Sequence, residues 1–582
     1  MLSRRTFLQS ALAAAAATPL LAKAGAKAEP QSRLAQFEQW YLQLAKHNNR
    51  PALPAGKRVL VQSLGVAADG RSKVTAALQQ VIDALAAGGG GTLQFGKGQY
   101  LSGALQLKSG VTLEFDEGAV LLGSVDIADY YDEKGQLHAL LWADQASNIA
   151  LAGKGRVDGQ GRQLANNISD LHHSGQRIEP DFNLWRNRSN HRPQVIAFTH
   201  CEQIRIYDLT IANSAAWVQH YGACADLVID GIRVDSDCYW NNDGIDINDC
   251  RKVRVSNCFI NAADDAICLK STKGLYNEDI EIFECVVRSS ANGVKFGTES
   301  QGGFRRVSIR NIMVFDTYRA AVALESVDGA FLEDVEVDGI DAQHVGCALF
   351  IRLGQRNMGV APDKAVGTLR NVRIRNLKAN IAFGPADLAY QVRGPLLNAL
   401  HNPIPASITG LPDAKVQDVL LENIDISYPG RANTGMAYRP WHQLHLVPQE
   451  RAAYPEYSMF GELPAYGLFV RHVDGLQLKN IQIRCRDADF RPALVLDDVR
   501  RLSLQQAHFA GTQRPQLVLQ NVPQPLLLAL SSDSQTGAAE ILSADNGGIA
   551  LVKPLAPYFD TVAGPDKNAT LHFAPAAQEK KS

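Results

Sequence analysis

Residues 239–271 read YWNNDGIDINDCRKVRVSNCFINAADDAICLKS. Three carboxylates stand at turn-like positions, Asp243 and then the adjacent pair Asp264 and Asp265. Each cluster is followed by a short alternating run, Ile245-Asp246-Ile247 and Ile267-Cys268-Leu269. Apolar side chains at every second position mark a half-buried strand. The stretch therefore shows one unit twice: a polar turn bearing acid, then a strand.

Working outward, a second pattern recurs. It is aliphatic, any, aliphatic, any, then Asn, Asp or a similar residue, then apolar. It begins at Ile204, Leu227, Val253, Ile280, Val307 and Val335, with weaker copies at Val372, Val419, Leu476 and Leu502. The central copies are 23 to 28 residues apart. A near-fixed period of this length signals a solenoid. A further strand follows each copy, as at Val294-Lys295-Phe296, Val322-Ala323-Leu324 and Leu349-Phe350-Ile351. Several short strands per repeat with no helical pattern between them predict an all-β, right-handed parallel β-helix, the hand being that of nearly all parallel crossovers. Adjacent coils stack about 4.8 Å apart. Asp243 and the pair Asp264 and Asp265 then lie one above the other on one face, and the 21-residue separation is one coil.

Acids this close cannot all ionise, so one carboxyl keeps its proton near neutral pH and can act as a general acid. Its ionised neighbours can activate water or stabilise positive charge, the division of labour that glycoside hydrolysis requires. Taken singly, Asn-Asp-Gly and Asp-Asp are ordinary turn residues; it is their register on successive coils that points to chemistry.

These residues resemble glycoside hydrolase family 28, the polygalacturonase and rhamnogalacturonan hydrolase group. NNDGID is similar to the family's Asn-Thr-Asp motif, with Asn241 leading and Asn242 in the Thr place, and ADDAICLKS is similar to its Asp-Asp motif. The likeness extends over roughly residues 58 to 505. It implies that Asp264 is the general acid, that Asp243 and Asp265 activate the attacking water, and that configuration inverts. The chain also departs from the family. Ala291-Asn292-Gly293 stands where the family has Gly-His-Gly, and Ala323-Leu324-Glu325 where it has Arg-Ile-Lys. The missing cations hold a galacturonate carboxylate in polygalacturonases. Lys270 and Lys295, each on the strand after its turn, are candidate replacements, and Asn292 stands in the histidine's place. Glu299 is a candidate fourth carboxylate, with Arg305 and Arg306 expected beside the same face. Tyr239 and Trp240, in the turn before the acids, are candidates for stacking on sugar, as are Trp217 and Tyr318.

Net charge is −2 over 582 residues, which argues against a nucleic-acid or polybasic membrane partner. The partner expected is a polysaccharide or oligosaccharide, met by a monomer. No cofactor and no metal site is expected. His172, His173, His191 and His220 are scattered, and the nine cysteines show no C-x-x-C spacing. Cys258 and Cys285 recur at one repeat position and predict a buried sulfur stack. The opening MLSRRTFLQSALAAAAATPLLAKAGAKA carries Arg4-Arg5 ahead of a mild apolar run. It reads as a twin-arginine export signal over residues 1–28, giving a periplasmic or secreted protein with no membrane anchor after cleavage. A helical or linker segment follows at 29–57, then a single β-helix domain over 58–565 whose start is capped by a helix. Long irregular insertions are expected near 380–413 and 430–466, and a flexible tail at 566–582. Two other functions fit the repeat: a β-helix lyase or uronate epimerase using Lys270 or Lys295 or bound Ca²⁺, and a non-catalytic carbohydrate-binding solenoid.

Overall fold

The computed structural model describes residues 30–43, 49–184, 186–272, 274–386, 390, 404–432, 441–512, 516–532, 538–541, 550–551 and 569–572. The export signal at 1–28 lies outside these, as do much of the 380–413 insertion, positions 433–440 and most of the tail. Residues up to Gln43 form a unit of their own, whose described part is the helix Pro30–Gln43.

From Lys57 onward the chain winds as a right-handed parallel β-helix. A central coil has three strands. The leading strand carries the repeated pattern, as in Ala225–Asp230 and Arg251–Ser256. A middle strand follows, as in Arg233–Ser236 and Phe259–Ala262. The trailing strand follows the acidic turn, as in Ile245–Asn248 and Ile267–Ser271. The leading strands stack in the register of the repeats. Ile204 lies on Leu227, Leu227 on Val253, Val253 on Ile280, and Ile280 on Val307. The weaker copies join the same column, Val372 on Val419, Val419 on Leu476 and Leu476 on Leu502.

The fifth position of the pattern has a backbone reason. It is the corner between leading and middle strands, and it is left-handed in coil after coil: Asp208, Gly231, Asn257, Glu284, Asn311, Gly339, Asn376, Asn423, Asn480 and Gln506 all have φ between 51° and 84°. Asn, Asp and Gly are the residues that enter this region at least cost. The corner amides also bond along the axis, Asn423 donating to Asn376 and Asn480 to Asn423. Inward side chains such as Ile245, Ile247, Ile267, Leu269, Val294 and Phe296 are fully buried and form one continuous core. Helix Thr75–Ala87 turns Leu78, Ile82 and Leu85 into the first coils of that core, the N-terminal cap. All nine cysteines are free, and Cys258 and Cys285 are buried at successive coils.

Two boundaries differ from expectation. Ala406–Thr409, inside the expected irregular insertion, is a strand between Phe350–Arg352 and Leu468–Arg471. Ala569–His572, in the expected tail, pairs antiparallel with Ala538–Ile541.

Candidate active site

The acids sit in the turns between middle and trailing strands. Ile245 pairs with Ile267 and Ile267 with Val294, so the residues two before them, Asp243, Asp265 and Asn292, share one column. The turns approach closely because the residue after each is small. A Cβ at Gly244 would lie 2.5 Å from the Ala266 carbonyl oxygen, and one at Gly293 2.7 Å from that of Ala321. Gly244 donates its N–H to the Asp265 carbonyl, locking the two acidic turns together.

All three acids are buried; Asp264 is the most open, at 9%. Asp265 accepts both the backbone and side-chain N–H of Asn292, at 3.0 and 2.8 Å, and its other oxygen lies 3.1 Å from Lys295 Nζ. Burial alone would push its pKa up, but Lys295, Lys270, Arg319 and the Asn292 amide hold it below the usual carboxylate value. Asp264 accepts from Asn241 Nδ2 at 3.3 Å. Burial and the charge of Asp265 push its pKa up, against Arg319, Lys295 and Lys270. Two adjacent carboxyls are thus driven apart, Asp264 upward and Asp265 downward. Asp243 pairs with Lys270 at 3.2 Å, yet burial and Asp246 raise its pKa well above the usual value. Of the two water-activating candidates, Asp265 is the one whose surroundings keep it ionised.

Lys270 also lies 2.8 Å from Asp246, 3.1 Å from Cys268 Sγ, and 4.8 Å from the centre of the Trp217 ring. Both candidate cations are therefore committed to ion pairs inside the protein. Ligand atoms of Asp243, Asp265 and Cys268 lie within 4.8 Å of one another, but Lys270 contacts the first and third of these residues and Lys295 the second.

Four further charged groups complete the site. Asp246 is fully buried on the trailing strand, its pKa pushed up to about 6 by burial against Lys270. Glu325 is buried on the trailing strand three coils after that of Asp246, its pKa pushed up to about 8 by burial against Lys295. Arg319 pairs at 2.6 Å with Glu456, which arrives from the 430–466 insertion. Tyr454, from the same insertion, places its ring 5.7 Å from Lys295 and its hydroxyl 2.9 Å from Thr298 Oγ1. Six carboxyls thus face three cations, and burial, only partly opposed by those cations, raises Asp243, Asp246, Asp264, Glu325 and Glu456.

Several expected residues are placed elsewhere. Tyr239, expected exposed in its turn, is buried; its hydroxyl donates to the Asn187 carbonyl and Arg192 lies over its ring. Tyr318 is buried as well. Trp240 is half-buried, with Arg186 over its ring. Asn242 is a turn residue, donating to the carbonyls of Ser214 and Ala216. Arg305 and Arg306 do not flank the acids; they pair with Glu278 and Asp279 along the leading strands. Glu299 is half-buried, and no contact described here joins it to the acids. His172 stacks on Phe182 and His191 pairs with Glu179, both in the segment after the helix Gly161–His173.

Residues 88–329, which include all the acids except Glu456, match the model of glycosyl hydrolases family 28. A probable polygalacturonase of Vitis vinifera is 25% identical over 323 residues, 51% of this chain and 57% of its own length. An exopolygalacturonase of Zea mays is 25% identical over 285 residues, 43% of this chain and 64% of its own length. The chain thus spans under two thirds of the length of either relative. Among solved structures, a family 28 exopolygalacturonase of Yersinia enterocolitica aligns over 82% of this chain and 78% of its own, at 16% identity and TM-score 0.49.

Proposed function

We propose, from the premise that residues 88–329 are a family 28 glycosyl hydrolase segment, that the protein is a glycosidase acting on a pectic or related polysaccharide. The observation that carries this reading is the unequal surroundings of Asp264 and Asp265, of which only Asp265 meets the Lys295 ammonium at 3.1 Å and two Asn292 N–H donors. Asp264 donates its proton to the glycosidic oxygen as the bond from that oxygen to the anomeric carbon breaks. Asp265 takes a proton from the water whose oxygen bonds to that carbon. Protons and bonds balance, and both carboxyls return to their starting state by exchange with solvent. Asn292 supports this by bonding the ionised form of Asp265, which accounts for an amide where the family has histidine. Asn241 steadies Asp264. The single-step geometry implied by the family inverts the anomeric carbon, and proton NMR of the first-formed sugar tests that.

The internal pairing of Lys270 and Lys295 favours hydrolysis over elimination or epimerisation, since neither ammonium is left to neutralise a uronate carboxylate. The Arg4-Arg5 leader further suggests export; sequencing the N-terminus of the extracytoplasmic form tests it.

The decisive experiment incubates the protein with homogalacturonan, rhamnogalacturonan and neutral glycans and reads products by mass spectrometry, with Asp264→Asn in parallel. Saturated sugars from one glycan, reduced about 10²–10⁴-fold in the variant, are expected. Products lighter by one water would replace hydrolysis with elimination, and equal activity in the variant would remove Asp264 from the mechanism.

A further inference from the structure

The trailing strands present one outward side chain per coil, and this column runs past the acids in both directions. Toward the N-terminus it passes from Asp246 to His220, Ala197 and Trp142. Toward the C-terminus it passes from Cys268 to Lys295, Ala323 and Phe350, and continues through Phe469 and Val495. The two halves are treated oppositely.

On the C-terminal side the column is covered. Ala323, Phe350, Phe469 and Val495 belong to a buried apolar cluster with Leu444, Val447, Tyr457, Phe460 and Leu463 of the insertion. Buried arginines fasten that cover. Arg352 donates to the carbonyls of Gln449 and Glu450, Arg471 to that of Val447, and Arg319 pairs with Glu456. The edge of the cover is Tyr454 and Glu456, beside Lys295 and Arg319.

On the N-terminal side the column floors an open groove of about 730 Å³. Its lining includes Trp142, His138, His220, Asp144 and Arg192. The Trp142 ring stacks on His138 at 3.9 Å and is half-buried. Arg192 joins groove to acids: it donates to Asn241, which in turn donates to Asp264. From Trp142 to Asp246 is three coil steps, about 14 Å.

Resting on the hydrolase reading above, we propose that the enzyme is exo-acting: the acids cleave at the end of a glycan whose remaining units lie in this groove over Trp142 and His220. A chain threading through the site in both directions would have to displace the apolar cover and break its arginine anchors. A chain ending at Tyr454 and Glu456 displaces nothing.

The test follows early products from oligogalacturonides, rhamnogalacturonan oligomers and neutral oligosaccharides of two to eight units. Each of the first turnovers is expected to release one short product of constant size, leaving a chain shorter by that size, at every substrate length. Early fragments of sizes other than the released unit and its complement would overturn exo action while leaving hydrolysis standing. No product from any of them would overturn the hydrolase reading and the exo assignment with it. Trp142→Ala tests the groove separately. Its kcat/KM for a hexamer should fall roughly two- to tenfold, and by less for the dimer. An equal change for dimer and hexamer, or none for either, would overturn the placement of the chain over Trp142.

Discussion

At the scale of single residues the site works by unequal environments for equal groups. Asp264 and Asp265 are neighbours in sequence and both buried, yet only Asp265 meets an ammonium at 3.1 Å and two N–H donors. In the proposed mechanism its ionised form takes the proton from water, so it should set the acid limb of the kcat/KM profile, at lower pH than an ordinary aspartate. Lys295→Met keeps the stem and removes the charge. Burial then acts on Asp265 with less opposition, and the acid limb should move to higher pH by roughly 1–3 units. The alkaline limb, assigned to Asp264, should move the same way but less, because Lys295 pairs directly with Asp265 whereas Arg319 acts on Asp264 more strongly than Lys295 does. An acid limb that stays in place would remove Asp265 from the role of base.

At the scale of elements, the insertion around 441–466 is held to the β-helix by charge as well as by apolar cover. Arg319 and Glu456 are both buried and 2.6 Å apart. Glu456→Ala removes the direct ion-pair partner of a buried guanidinium, which costs about 3–5 kcal/mol. Arg319→Met with Glu456→Leu removes both charges and should recover most of that loss. Urea unfolding of the single and double variants checks this, and a single variant as stable as wild type would show that the pair anchors nothing. This contact also marks where sequence reasoning stops. The leading strands were legible because their period and left-handed corners are written in residue types. The register of Asp243, Asp265 and Asn292 followed from that period. Arg319 sits at the register irregularity between Thr317 and Ala320, and Glu456 comes from an insertion with no period, so nothing local announces their meeting. Asp246 and Glu325 occupy outward positions of alternating strands, which ordinarily face water; only the covering insertion and neighbouring charges show them to be buried. Tyr239 failed for the converse reason, since its turn is roofed by Arg192 from a segment without repeats.

At the scale of the whole molecule, a solenoid passes stress only to neighbouring coils, so the excess of acid should show as a local weakness dependent on pH. Glu325 carries this most directly. Its pKa is raised from the ordinary 4.5 to about 8 by burial. Between those values the folded chain binds a proton that the unfolded chain has released, so stability falls as pH rises through this window. Below it the group contributes nothing, and above it the full penalty, on the order of a few kcal/mol, is present. Glu325→Gln mimics the protonated form at every pH. Amide hydrogen exchange of Val294–Ser300 and of residues 318–326, compared between wild type and variant at each pH, reads the effect where it arises. The two should exchange alike at pH 5, and the variant should be better protected at pH 8.5, with coils near Ile204 unchanged in both. If wild type and variant are equally protected at pH 8.5, Glu325 ionises without cost because Lys295 answers it fully.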